Sequence, residues 1–162
     1  MEEADVAHLA GLFDGAGSVT VHIGKDESYP LDYRYQPAIR LYRAKTDEAM
    51  LGKLDAYCED YGVQYHLNDK DETVMFEVSN LDSIQRFLEP ILPWLVTHHQ
   101  DARLMVEEIL PAIEENRHKT KDGFYELAGY ADTLRGGPGK GRKAKYTQKF
   151  FKEKWEIKEA PS

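Results

Sequence analysis

Several stretches of this chain alternate apolar residues with side chains rich in hydrogen-bond donors and acceptors. Residues 33–43 put Tyr33, Tyr35, Ile39 and Leu41 on one side of an extended strand and Arg34, Gln36, Arg40 and Tyr42 on the other. Residues 18–23 set Val19, Val21 and Ile23 against Ser18, Thr20 and His22. Residues 63–67 set Val63, Tyr65 and Leu67 against Gln64, His66 and Asn68, and residues 73–78 set Val74, Phe76 and Val78 against Thr73 and Glu77. With a period of two, the apolar members predict a core face and the polar members an open one. The polar set is of the kind that bonds to base edges and phosphate oxygens. Any solvent-facing sheet is polar, but an ordinary one leans on Lys, Glu and Thr, whereas this one is rich in Arg, Gln, Asn, His and Tyr. Lys25, in the polar loop after the first strand, and Arg43 join the candidate contacts.

The net charge of −8 would by itself argue against nucleic acid, but the charge is segregated. Residues 135–154, "RGGPGKGRKAKYTQKFFKEK", carry +7, with Lys140, Arg142, Lys143 and Lys145 near their start, so the remainder carries −15. Residues 33–45, "YRYQPAIRLYRAK", contain four cations and no acid. Such segregation fits a polyanionic partner touching two basic surfaces, with acidic helices facing away. It also fits a solvated tail beside an ordinary charged strand, and charge alone leaves both open.

A chain of 162 residues corresponds to one domain, with an expected division into a body over 1–134 and a basic extension over 135–162. The acidic start "MEEAD" lacks the apolar stretch of a signal peptide, and no apolar run is long enough to span a bilayer. The single cysteine, Cys58, excludes an internal disulfide and a cysteine zinc cluster and reads as helix packing. A soluble intracellular protein is the expectation.

Around the strands, helical spacing predicts a helix over 5–15 capped by Asp5, and a second capped by Thr46 with Met50, Leu54, Tyr57 and Tyr61 buried and Gly62 at its end. A third helix, capped by Asn80, buries Ile84, Phe87, Leu88 and Ile91. "THHQ" at 97–100 fits a capping box for a helix that Pro111 kinks or ends. A last core helix over 122–134, the connector "GGPGKG" and a short basic helix over 146–157 complete the chain. Pro37 should demote its strand to an edge or a bulge, "DKDE" should turn the second hairpin, Trp94 reads as core and Trp155 as an anchor for the tail. Two hairpins separated by helices predict an α+β domain: a four-stranded antiparallel sheet with helices on one face.

The first helix runs through residues 9–17, "LAGLFDGAG". Ala7, Gly11 and Gly15 recur every four residues, flanked by Ala10 and Asp14. Glycine inside a helix costs about 1 kcal/mol against alanine. Close approach of a second helix would offset that, by the steric logic of GxxxG, as would packing within the monomer. The stretch matches six of the nine positions of LAGLIDADG, the motif that names a family of homing endonucleases. The αββαββα order, the length, "LVTHHQDA" at 95–102 and the last helix before a basic tail also resemble the single-motif members, over roughly residues 5–150.

The resemblance implies a homodimer paired through its motif helices, with Ala7, Ala10, Gly11, Asp14 and Gly15 at the contact. It implies a saddle of two sheets over double-stranded DNA, a pseudo-palindromic target and Mg²⁺-dependent strand cleavage in intron or intein homing. The departure is Ala16, which stands where the family carries the acid that holds the metal. A methyl group is no ligand for a hard cation that demands oxygen, and the Gly15 carbonyl is a weak substitute. Related chains often carry Lys near the position of His98, a second departure, and the strand end "YRAKTDE" lacks a glutamine that members use to position water. Two explanations fit Ala16: natural loss of the acid, or deliberate inactivation. The leading expectation is sequence-specific DNA binding with cleavage impaired. The alternatives are an active endonuclease using Asp14 or Glu77 as ligand, and a protein-binding scaffold or regulator. "DGAGS" lacks the lysine and preceding strand of a phosphate loop. His98 and His99 diverge by about 100° on a helix and make a poor zinc pair.

Overall fold

The computed structural model describes residues 1–134 and 144–157. Its elements are α1 (Glu3–Ala16), β1 (Gly17–Lys25), β2 (Tyr33–Ala44), α2 (Glu48–Tyr61), β3 (His66–Lys70), β4 (Thr73–Val78), α3 (Leu81–Ile91), α4 (His99–Leu104), α5 (Leu110–Glu114), α6 (Lys121–Leu134) and α7 (Gln148–Trp155). The strands form one four-stranded sheet in the order β1-β2-β4-β3, and β4 pairs antiparallel with both β2 and β3. This is the expected α+β architecture, with one correction: β2 is central rather than an edge. Its ladder with β4 begins at Ile39, two residues past Pro37, so the missing proline N–H lies outside that pairing.

The chain forms two compact units, residues 1–19 with 37–106, and residues 20–36 with 107 onward. In the first unit, Leu9 and Phe13 of α1, Ile39 and Leu41 of β2, Phe76 and Val78 of β4, and Ile84, Phe87, Leu88 and Ile91 of α3 are all buried. Phe13 meets Phe87 edge to face at 5.8 Å. The buried Tyr57 hydroxyl donates to the Phe87 carbonyl at 2.6 Å. Burial pushes the Cys58 thiol up to about 12, in keeping with its packing role. Gly62 ends α2 in the left-handed region, at φ 69°, where a side chain would be strained.

Several local expectations change in this unit. Asp47, not Thr46, caps α2, accepting from the Met50 N–H, and the Arg43 guanidinium grips the same carboxylate. That contact holds the Asp47 carboxyl below its ordinary value. Asp5 lies inside α1 and pairs with Lys53 at 3.0 Å; the cap position is Glu2, whose side chain makes no capping bond. β3 starts at His66 and continues through Lys70, so the hairpin turns at Asp71–Glu72. Leu67 sits opposite the buried Phe76, yet on this edge strand it is 49% exposed. Trp94 is not core: it is 42% exposed and lines a groove of about 440 Å³ with Val6, Tyr61, Pro90 and Pro93.

In the second unit, Tyr33 and Tyr35 of β2 pack with α6 and α7. The Tyr35 hydroxyl donates to the Leu127 carbonyl at 2.9 Å. Phe151 is fully buried, edge-on to Tyr33 at 4.9 Å and to Phe124 at 5.0 Å, with Trp155 beside it at 4.8 Å. Thr147 caps α7, accepting from the Phe150 N–H at 3.2 Å. The expected break at Pro111 takes the form of a π-helical turn over Met105–Ile109, after which helix resumes through Glu114. A wider turn before a proline relieves the clash of its ring with the carbonyl four residues back. The connector 135–140 lies outside the described residues.

Phe151 helps anchor α7 through burial and ring contacts without a polar bond of its side chain. Phe151→Ala should therefore destabilise the protein by about 3–5 kcal/mol, read as a lower urea midpoint in equilibrium unfolding.

Candidate nucleic-acid interface

The apolar side of α1 (Val6, Leu9, Ala10, Phe13) is buried within the chain. Ala10 is completely covered, so its side chain takes no part in an outer contact, contrary to its place in the expected stripe. Gly11 and Gly15 are exposed and Ala7 half-buried. A Cβ built on Gly11 or Gly15 would meet nothing within 4 Å. Packing inside the monomer thus gives no reason for either glycine. Gly17 differs, because a Cβ there would run into the Phe13 ring.

Asp14 has a definite role within the chain. Its Oδ2 accepts from the Val96 N–H at 2.8 Å and its Oδ1 from the His98 N–H at 2.9 Å. These backbone donors precede α4, where the first N–H groups lack helical partners. The expected Thr97–Gln100 box is absent: His98 is the cap residue and no side chain caps the helix; Asp14 instead fixes the backbone just before it. The His98 ring lies edge-on to Phe13 at 5.3 Å, and its Nδ1 is 3.7 Å from Asp101. Ala16, the last residue of α1, is half-buried and contributes only a methyl group.

On the open face of the first unit, register assembles three rows across β2, β4 and β3: Arg40–Glu77–His66, Tyr42–Met75–Asn68 and Ala44–Thr73–Lys70. Arg40 Nε donates to Glu77 Oε2 at 2.7 Å. Tyr42 is 49% exposed, and His66, Asn68 and Lys70 are exposed. Lys70 and Met75 were missed in the sequence; carrying the β3 alternation past Asn68 would have found Lys70. Two candidates fall elsewhere. Gln64 precedes β3, and its N–H donates to Ser83 Oγ at 2.9 Å. Arg43 sits opposite the buried Val74 and is occupied by Asp47, so it does not share the open face.

In the second unit, His22, Lys25 and Gln36 are exposed, and Thr20 and Arg34 are half-buried. The Arg34 Nε is buried without a hydrogen-bond partner. Lys145 is exposed, with its Nζ 5.5 Å from the Tyr146 ring centroid. Lys140, Arg142 and Lys143 lie outside the described residues. Among the described residues, no helix is long and apolar enough to cross a membrane.

The donor set does not fit a divalent cation at the motif. The Ala16 side chain offers no oxygen, and both Asp14 carboxylate oxygens accept backbone N–H groups. Among the described residues, no three His, Cys, Asp or Glu side chains converge to hold a metal ion.

A helix carrying this motif, leading into a four-stranded sheet with one polar face, defines a homing-endonuclease scaffold. The LAGLIDADG endonuclease model matches residues 9–94, and the chain belongs to that family. A probable intron-encoded endonuclease 2 of Neurospora crassa is 26% identical over 140 residues, 85% of this chain. The chain spans only 31% of that relative's length. DNA endonuclease I-CreI of Chlamydomonas reinhardtii is 26% identical over 129 residues, 78% of this chain and 74% of the relative. The homing endonuclease I-CvuI, crystallised with the I-CreI target in the presence of Mg, superposes with TM-score 0.78 at 24% identity, covering 93% of this chain and 92% of that one. The archaeal intron-encoded I-Vdi141I, complexed with DNA, gives TM-score 0.77 at 20% identity, with 96% and 99% covered. At these identities the structural likeness is one of fold.

Because Asp14 accepts two backbone N–H groups with one charge, Asp14→Ala should cost about 1–3 kcal/mol of stability. Asp14→Asn, which keeps one acceptor oxygen, should cost about half of that; chemical denaturation of the two variants checks the order.

Proposed function

We propose that this chain binds double-stranded DNA as a homodimer on a pseudo-palindromic site, and that its own strand cleavage is weak or absent. The observation that carries the reading is the division between the motif's two acid positions. Asp14 is committed to backbone N–H groups, and the Ala16 side chain has no oxygen to offer. The groove-reading face needs neither. Family membership and the resemblance of the fold to DNA-bound homing endonucleases support the partner. The exposed Gly11 and Gly15, with free space where a Cβ would stand, support pairing through α1. An isologous contact repeats one reader twice and so favours a two-fold target.

A divalent metal held at the motif would stabilise the attacking and leaving oxygens of phosphodiester hydrolysis. This chain's residues do not supply the carboxylate that would hold it, so its contribution is to bind and orient the duplex. Glu77 is no ready substitute, since its Oε2 accepts from Arg40. A carboxylate missing near phosphates also removes a repulsion. DNA binding should therefore not require Mg²⁺.

A duplex selected from random sequence, tested by gel shift with and without Mg²⁺, should bind in its absence, gain nothing from its addition, and weaken steeply with salt. Failure to bind any duplex would overturn the reading, and a flat salt response would favour a protein-binding scaffold. The wild type should not nick a plasmid carrying the selected site, whereas Ala16→Asp should bind in a metal-dependent way and gain Mg²⁺-dependent nicking. Robust cutting by the wild type would restore the active-endonuclease alternative.

Gly11→Glu should weaken self-association at least tenfold by sedimentation. It should leave the monomer's melting temperature unchanged or higher, because glycine is the poorer helix former.

A further inference from the structure

We propose that Arg40, oriented by Glu77, reads a guanine in the major groove, and that the Tyr42–Met75–Asn68 row reads an A·T pair about two base pairs away. This rests on the DNA-binding reading above and assigns base preferences to one part of that face.

Arg40 and Glu77 are directly opposite in the β2–β4 ladder, and the bond between them uses only Arg40 Nε, at 2.7 Å. The Glu77 side chain is 18% exposed and that of Arg40 40% exposed, so the acid lies low in the face and the guanidinium stands above it. A guanidinium has five N–H groups. Committing the Nε–H leaves the terminal Nη1/Nη2 pair without a partner among the described residues. Two parallel donors match the O6 and N7 acceptors of guanine.

Charge argues for a base rather than a phosphate as the target. An arginine neutralised by a carboxylate 2.7 Å away has little net attraction for the backbone, and the carboxylate itself repels phosphate. The pair retains geometry: the Nε bond fixes the plane of the fork, so less rotamer freedom is lost on docking. Glu77 thus acts as a positioning residue and Arg40 as the reader.

The adjoining row has different chemistry. Tyr42 pairs with Met75 across β2 and β4, and Met75 with Asn68 across β4 and β3. Tyr42 is 49% exposed and Asn68 is exposed, while Met75 is 7% exposed and floors the row. Asparagine can bond bidentately to adenine N6 and N7, and an apolar surface suits the thymine methyl group. Arg40 and Tyr42 are two residues apart on one face, about 6.7 Å along the strand. For a strand that tracks the groove, this is about two base-pair steps of 3.4 Å.

The test selects duplexes from a random pool with the full wild-type chain, then compares half-site variants by competition with Arg40→Lys, Arg40→Ala, Glu77→Gln and Asn68→Ala, each first checked for an intact thermal transition. Wild type should prefer guanine at one half-site position and A·T about two pairs along. Arg40→Lys and Arg40→Ala should lose the guanine preference by roughly 5- to 100-fold, leaving other positions unchanged. Glu77→Gln should lower the same preference while total affinity holds or rises. Asn68→Ala should flatten the A·T position alone. Retained guanine preference in both Arg40 variants overturns the inference, as does a loss of cytosine preference confined to Glu77→Gln, which would make the acid itself the reader. Affected positions at any other spacing also overturn it. If the wild type enriches no duplex, the DNA-binding reading falls and takes this assignment with it; if it enriches one that the Arg40 variants bind identically, only this assignment falls.

Discussion

A β-strand sends successive side chains to opposite sides, and β2 uses both sides for different ends. Ile39 and Leu41 are almost entirely withdrawn from solvent, whereas Tyr42, on the opposite side of the same strand, is half exposed. A slip of one residue would exchange the two sets. The register with β4 therefore determines at once which residues make the core and which stay open. Burial of the aliphatic and aromatic side enforces that register, and the polar side is carried along with it.

The motif helix divides its tasks in a similar way. One side of α1 packs inward through Val6, Leu9, Ala10 and Phe13, and the exposed glycines lie on the other. Asp14 ties the end of the helix to the turn before α4 by bonding two backbone donors more than eighty positions away in sequence. That role needs a carboxylate whether or not the protein cuts DNA. Position 16 has no such structural duty, and alanine there leaves α1 intact through its last turn. Under the proposed function, scaffold and hydrolysis are separable in this motif: the helix keeps its packing and its Asp14 bonds without an acid at position 16.

The basic C-terminal region is more than a charged tail where the structure describes it. Phe151 and Trp155 hold α7 in the aromatic cluster with Tyr33 and Phe124, and Lys149 and Lys154 are left exposed on that helix. Fixing cations on a packed helix reduces the entropy lost when they meet a polyanion.

Much of the fold could be read from sequence because helical and strand periodicities are local. The first helix, the alternation of β1, β2 and β4, the Asn80 cap and the Gly62 terminus all follow from a few consecutive residues. The departure at Ala16 was equally visible, being a single position in a short motif. Tertiary structure decided what depends on distant partners. Pro37 suggested an edge strand, but β4 pairs beyond it. Thr46 suggested itself as the cap of α2, but Asp47 takes that position and Arg43 reaches its carboxylate. Arg40 and Glu77 are 37 positions apart and meet only because two buried apolar faces align their strands. Local backbone preference specifies the elements; which polar groups then face one another is set by how the apolar surfaces pack, and no short stretch of sequence contains that.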